Sequence, residues 1–156
     1  MYRNDTITAP QIEDALFEKH AKDMCFRELR FSSGFANESR CDFLAMNVAP
    51  STGNTIDAYE IKVSRADFRR DTHKKQRSAR LFSDRFWYIA PVGVIPAEDV
   101  PDWAGLMEVE WHCHKFAGAK PFLRIKKTIP APKRDKDAPS WGLVVSMVWN
   151  ATKHLT

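Results

Sequence analysis

Glu60 and Lys62 stand two apart in IDAYEIKV, residues 56 to 63, a run that otherwise reads as a strand. Side chains two apart on a strand point to the same face, so the carboxylate and the amine share one side while Tyr59, Ile61 and Val63 pack on the other. That charged face is expected to open to a cleft. Upstream, CDFLAMNV (41 to 48) is apolar on both faces apart from Asp42, the pattern of a central strand covered on two sides. A lone aspartate there is costly to bury unpaired, so metal binding or a specific ion pair would account for it. The turn APSTGNT, with Gly53 and Asn54 at its tip, joins the two runs into an antiparallel hairpin. Such pairing brings Asp42 to the strand end that carries Glu60 and Lys62.

Two carboxylates meeting at adjoining strand ends form a hard-oxygen site suited to Mg²⁺, which keeps several waters and takes one or two protein carboxylates. A divalent cation so held can polarise a phosphoryl oxygen and lower the pKa of a bound water, the requirements of phosphodiester hydrolysis. Lys62 could then orient that water or offset charge growing on the phosphate. The plainer alternative is that Glu60 and Lys62 are solvent-facing polar residues of a half-buried strand, and E-x-K alone does not separate the two.

The elements that must position these groups are legible around them. Thr8 and Gln11 form a capping box about Pro10, and Ile12, Ala15 and Leu16 recur at helical spacing, which predicts a helix from about Pro10 to Met24. FRELRF (26 to 31) alternates as a first strand, and the Ser-Gly-Asn-rich SSGFANES that follows reads as a loop. From about Arg65 to Ser83 the chain is helix-compatible and basic, with Phe68, Ala79, Leu81 and Phe82 as its apolar side. RFWYIAP (85 to 91) is a further buried strand. LMEVEW and PFLRIKK suggest a later hairpin, the proline-punctuated PAPKRDKDAP a connector, and SWGLVVSMVWNATKHL a final helix. This order implies an α/β fold in one domain over residues 1 to 156, a mixed β-sheet flanked by helices, with an accessory hairpin and helix at about 105 to 156.

Length and composition agree: 156 residues can bury a real core. The net charge of +4 favours an anionic partner without naming one. Cys25, Cys41 and Cys113 form no CxxC pair, so neither a disulfide framework nor a zinc knuckle is indicated, and a reducing cytoplasm is expected. MYRNDTITAPQIED has no apolar signal region and no run approaches the length of a membrane span, so neither export nor insertion is expected.

Asp42 followed by Glu60-x-Lys62 on the next strand resembles the active-site pattern of the PD-(D/E)XK nuclease superfamily, whose restriction-endonuclease-like core is a mixed sheet with flanking helices. The chain is more closely similar to the MmcB family of bacterial DNA-repair proteins, small members of that superfamily. The matching pieces are SRCDFLAMN, YEIKVSRADFRRD, SDRFWYIAP and AGL at 104 to 106, in the family's order, over about residues 26 to 110. The resemblance implies a metal-dependent DNA endonuclease in which Asp42 and Glu60 ligate Mg²⁺ or Mn²⁺ and Lys62 is the catalytic lysine. It also implies a role in DNA repair or on phage DNA. Glu28 falls near where such proteins carry a further acidic residue, its alternative being an exposed strand glutamate. Glu13 is a weaker candidate for the same supporting role. The family's pattern covers Asp67, Phe68 and Asp71 as well, and beyond them this chain reads THKKQR where a Lys-Trp pair is usual.

Arg69, Arg70, Lys74, Lys75, Arg77 and Arg80 in the basic stretch could neutralise DNA phosphates, with Gln76 facing the same groove; a solvated charged face is the alternative. His112 and His114 would share a strand face, but a zinc site needs further ligands that the local sequence lacks. The tryptophans suit packing, with Trp103 and Trp111 as candidates for base stacking. No glycine-rich phosphate loop is present. A competing expectation is a catalytically silent DNA- or partner-binding module of the same fold. A homodimer is compatible with either.

Overall fold

The computed structural model describes residues 6–31 and 39–155. Among these residues six strands form one sheet in sequential order: β1 (Met24–Arg30), β2 (Arg40–Met46), β3 (Ile56–Ile61), β4 (Arg85–Pro91), β5 (Gly105–His112) and β6 (Phe122–Ile129). The sheet is mixed, because β3–β4 and β4–β5 run parallel while β1–β2, β2–β3 and β5–β6 are antiparallel. Among the described residues four α-helices flank it: α1 (Ala9–Lys19), α2 (Arg65–Arg69), α3 (Arg77–Leu81) and α4 (Trp141–Thr152). The architecture is therefore α/β, with the expected hairpins β2–β3 and β5–β6 in place. The loop expected at SSGFANES lies almost wholly outside the described residues.

Alternation along the strands builds two cores, one on each face of the sheet. Phe43, Tyr59, Trp87, Ile89 and Val109 pack with Ile12 and Leu16 of α1 on one side. Leu44, Ala58, Phe86, Tyr88 and Leu106 pack with Ala79 of α3 and Leu143 of α4 on the other. Each large apolar side chain so removed from water contributes about 1.5–3 kcal/mol. Gly105 lets β5 lie close to its neighbour, since a Cβ there would fall 2.5 Å from the Trp87 ring and 2.6 Å from the Ala131 backbone nitrogen.

Two helices depart from expectation, each for a polar reason. The Thr8 capping box is present, but α1 stops at Lys19 rather than near Met24. His20 leaves the helix to bond Asp23 at 2.7 Å and the Tyr59 hydroxyl at 2.8 Å, and the chain turns there. The basic stretch predicted as one helix is instead two short ones separated by residues 70–76. Ser64 caps the first by accepting from the Asp67 N–H. Past it Asp71 turns inward, accepting from the Tyr88 hydroxyl at 2.5 Å and from Gln76 Nε2 at 2.8 Å. A buried aspartate must find partners, and that requirement overrides the helix propensity of its neighbours.

Among the described residues, no helix is long and apolar enough to cross a membrane.

Candidate active site at the ends of strands β2 and β3

The β2–β3 ladder pairs Phe43 with Tyr59 and Leu44 with Ala58, and its next step sets Asp42 across from Glu60. Glu60 is in turn paired with Tyr88 on β4. These side chains continue the face of the sheet that buries Leu44, Ala58 and Phe86, so three adjacent strands contribute to one spot. Asp42 accepts from the Ile61 N–H at 2.8 Å through Oδ2. Lys62 follows directly after β3, and its N–H still bonds the Ile89 carbonyl at 2.9 Å, which fixes where its side chain starts.

Glu60 and Lys62 do not open freely to a cleft, as each is only 3% exposed. Residues 70–76 fold over them and complete a network of charges. Lys62 Nζ lies 3.2 Å from Glu60 Oε1 and 3.6 Å from Asp71 Oδ1. Lys75 Nζ reaches the same two atoms at 3.1 and 3.8 Å. Two ammonium groups thus face three carboxylates, those of Asp42, Glu60 and Asp71. The imbalance is visible at Asp42, whose pKa is pushed up to about 6 by burial first and by the Glu60 charge second, against the pull of the Ile61 N–H, Lys62 and Lys75. At Lys75 burial acts downward, but Glu60 and Asp71 outweigh it and hold the ammonium above its ordinary range.

Neighbouring groups that could compete as nucleophile or base are kept neutral. Burial, then the Glu60 charge, drive the Cys41 thiol far above its usual range. Tyr88 is raised as well, by burial and by its bond to Asp71, and it stays a hydroxyl donor. Gln76 is fully buried, and among the described residues its Oε1 has no hydrogen-bond partner.

Asp42 and Glu60 are the residues here that could hold a hard divalent cation retaining waters. Among the described residues Asp42 Oδ1 and Glu60 Oε2 accept no hydrogen bond, so each carboxylate keeps one oxygen for another cation. No group of three or more His, Cys, Asp or Glu among the described residues could build an all-protein cage. Two carboxylates with water completing the shell is the ordinary arrangement for Mg²⁺.

Other residues singled out from the sequence lie elsewhere. Glu28 has φ 44° in β1, is exposed, and lines the groove between β1 and α4. Glu13 pairs with Arg27 at 2.6 Å, and burial raises its pKa against that attraction. Neither touches the Asp42–Glu60–Lys62 cluster. Arg69 and Arg70 are exposed, the latter 3.7 Å from Asp67. Lys74 and Arg77 border a neighbouring cavity, whereas Lys75 turns into the site itself. His112 and His114 pack against Phe122.

Sequence reasoning assigned no site role to Asp71 or Tyr88. The signal for Asp71 was present in the matched stretch YEIKVSRADFRRD, but its role depends on a turn that a continuous helix would have forbidden.

The fold and site define an α/β protein with a mixed six-stranded sheet, flanked by helices and carrying a carboxylate–lysine cluster at adjoining strand ends. Among solved structures the chain is similar to the SPO1766 protein of unknown function from Silicibacter pomeroyi, at 21% identity and a TM-score of 0.64, covering 97% of this chain and 88% of that one. That likeness shows the fold. No family model and no curated protein matches the chain.

Proposed function

We propose that this protein is a Mg²⁺- or Mn²⁺-dependent deoxyribonuclease with a PD-(D/E)XK core, an endonuclease similar to the MmcB family, serving DNA repair or phage DNA processing in the cytoplasm. The observation that carries the reading is the meeting of Asp42, Glu60 and Lys62 at one spot on two paired strands. Asp42 and Glu60 would hold the ion through their unengaged oxygens. When bound, it would supply Lewis-acid polarisation of the phosphate and a water of lowered pKa.

The chain's own residues do the rest. Lys62 is anchored between Glu60 and Asp71, so its ammonium is fixed where it can orient a water or meet charge developing on phosphate. Asp71 is a positioning residue, held in turn by Tyr88 and Gln76. Lys75, half exposed, can leave Glu60 for a phosphate oxygen without stranding a buried cation. Arg69 and Arg70 are exposed, and Arg70, within 3.7 Å of Asp67, can exchange that surface carboxylate for backbone phosphate further along the DNA.

The test is cleavage of labelled DNA by the purified protein with Mg²⁺ or Mn²⁺, alongside Asp42→Ala and Glu60→Ala. Metal-dependent cutting lost in both variants is expected, by about 10²-fold or more for each. No cutting of any DNA form, or cutting unchanged in the variants, would overturn the reading.

One observation favours the alternative of a DNA- or partner-binding module without turnover: both lysines already sit on Glu60 Oε1, as in a purely structural ion cluster. On that reading DNA binding is indifferent to metal and to Asp42→Ala.

A further inference from the structure

Beside the cluster lies a cavity of about 550 Å³ between α3, the start of β4 and the segment before β5. Its floor is aromatic and its rim cationic. Trp103 is buttressed edge-on by Phe86, with ring centroids 5.2 Å apart. The Arg80 guanidinium carbon sits 3.9 Å above the Trp103 ring, which holds that flat cation in place, and among the described residues no carboxylate pairs with it. Lys74 and Arg77 are exposed at the rim, and among the described residues neither has an ion-pair or hydrogen-bond partner for its side chain.

The acid in this wall does not cancel that charge. Asp84 accepts from the Ile56 N–H at 2.7 Å and from Lys136 Nζ at 3.0 Å. Arg134 is spent structurally on the carbonyls of Arg80 and Leu81. The cavity is of the size that encloses a small organic ligand and larger than a bare phosphate needs. A planar guanidinium backed by the Trp103 ring and unpaired cations at the rim together match one nucleotide, with its base on the guanidinium plane and its phosphate on the rim.

We propose that this cavity seats one unpaired nucleotide of a single-stranded stretch of DNA, with the base against the Trp103–Arg80 stack and the phosphate on Lys74 and Arg77. The identity of the polymer rests on the nuclease reading. A base in continuous duplex is stacked and paired and does not reach such a pocket, so the preferred substrate is DNA with an unpaired end, flap or gap. The pocket adjoins the cluster through shared elements. Lys74 lines it while Lys75 reaches Glu60, and the Trp103 ring lies 6.2 Å from that of Tyr88, whose hydroxyl holds Asp71. The seated nucleotide is thus a neighbour of the phosphate to be cut.

The experiment measures binding by fluorescence anisotropy in chelator, with a labelled oligothymidylate and a duplex of the same length. The single strand is expected to bind about tenfold more tightly or better, with Trp103→Ala and the double variant Lys74→Glu/Arg77→Glu each removing most of that preference. Thymidine monophosphate is expected to compete, and inorganic phosphate at the same concentration is not. The rim residues are exposed and unpaired, so the double variant reports even where Trp103→Ala fails to fold. Equal or tighter duplex binding, a preference that survives the rim variant, or equal competition by phosphate would overturn the proposal. A pocket-dependent single-strand preference without cleavage in either metal sinks the nuclease reading and leaves the pocket. Cleavage of duplex DNA with no single-strand preference does the reverse.

Discussion

Lys62→Met is expected to lower DNA cleavage by about 10²–10³-fold while also destabilising the protein by about 3–5 kcal/mol. Both effects come from the same burial. Lys62 is 3% exposed and its ammonium lies between Glu60 and Asp71, themselves almost wholly shielded from water. Methionine fills the volume but leaves two carboxylates sharing Lys75 as their remaining cation. Removing one partner of a buried pair is far more damaging than replacing the whole pair, because the stranded charge keeps its desolvation penalty. Urea denaturation reads the stability, and cleavage at saturating Mn²⁺ under conditions where the variant is folded reads the chemistry. Stability unchanged from wild type would contradict the burial of the pair. Cleavage at wild-type rates by folded Lys62→Met would remove the lysine from the reaction. Lys62→Arg is not expected to rescue, since a planar fork does not occupy the place of a compact ammonium between two oxygens.

Asp42→Asn should act in opposite directions on stability and on metal binding. Asp42 has a folded-state pKa of about 6 against an ordinary 3.8, so the folded chain holds this proton more tightly than the unfolded chain does. The stability linked to it is full below about pH 4 and is lost as pH rises through about 6. At pH 8 the wild-type apo protein therefore bears an ionised carboxylate that the site disfavours. Asparagine removes that charge, and its side-chain oxygen can still accept from the Ile61 N–H. We expect the variant to be more stable than wild type at pH 8, by on the order of 1–3 kcal/mol, and equal to it near pH 4. Its response to Mg²⁺ or Mn²⁺ in thermal unfolding should be lost, whereas wild type gains stability from the metal only above about pH 6. A variant less stable than wild type at pH 8 would mean that Asp42 serves as a structural anion.

The strands and the triad were legible because both obey a period of two. Glu60 and Lys62 interrupt one face of an otherwise apolar run, and Asp42 interrupts a run that is apolar on both faces. Hairpin pairing then needs only the turn between them to bring all three together. What covers them was hidden, for the opposite reason. The stretch from Arg65 to Ser83 has uniformly good local helix propensity, and nothing local says that Asp71 will be captured by Tyr88 across the fold. Once that capture breaks the helix, Lys75 arrives at Glu60 instead of standing on a solvated face, and Gln76 becomes a core residue. The end of α1 was missed likewise, since His20 answers to a tyrosine on β3. Periodicity reports which face is buried; it does not report which distant hydroxyl will claim a polar side chain.

The bond from the Ile61 N–H to Asp42 Oδ2 substitutes a side chain for the main-chain rung that would otherwise close the hairpin at that point. The same carboxylate that would grip a metal thus latches the mouth of the β2–β3 ribbon, and pulling it toward an ion loosens the latch. Deuterium uptake at this single amide becomes a gauge of occupancy, slow while the oxygen is retained and faster as a ligand draws it away.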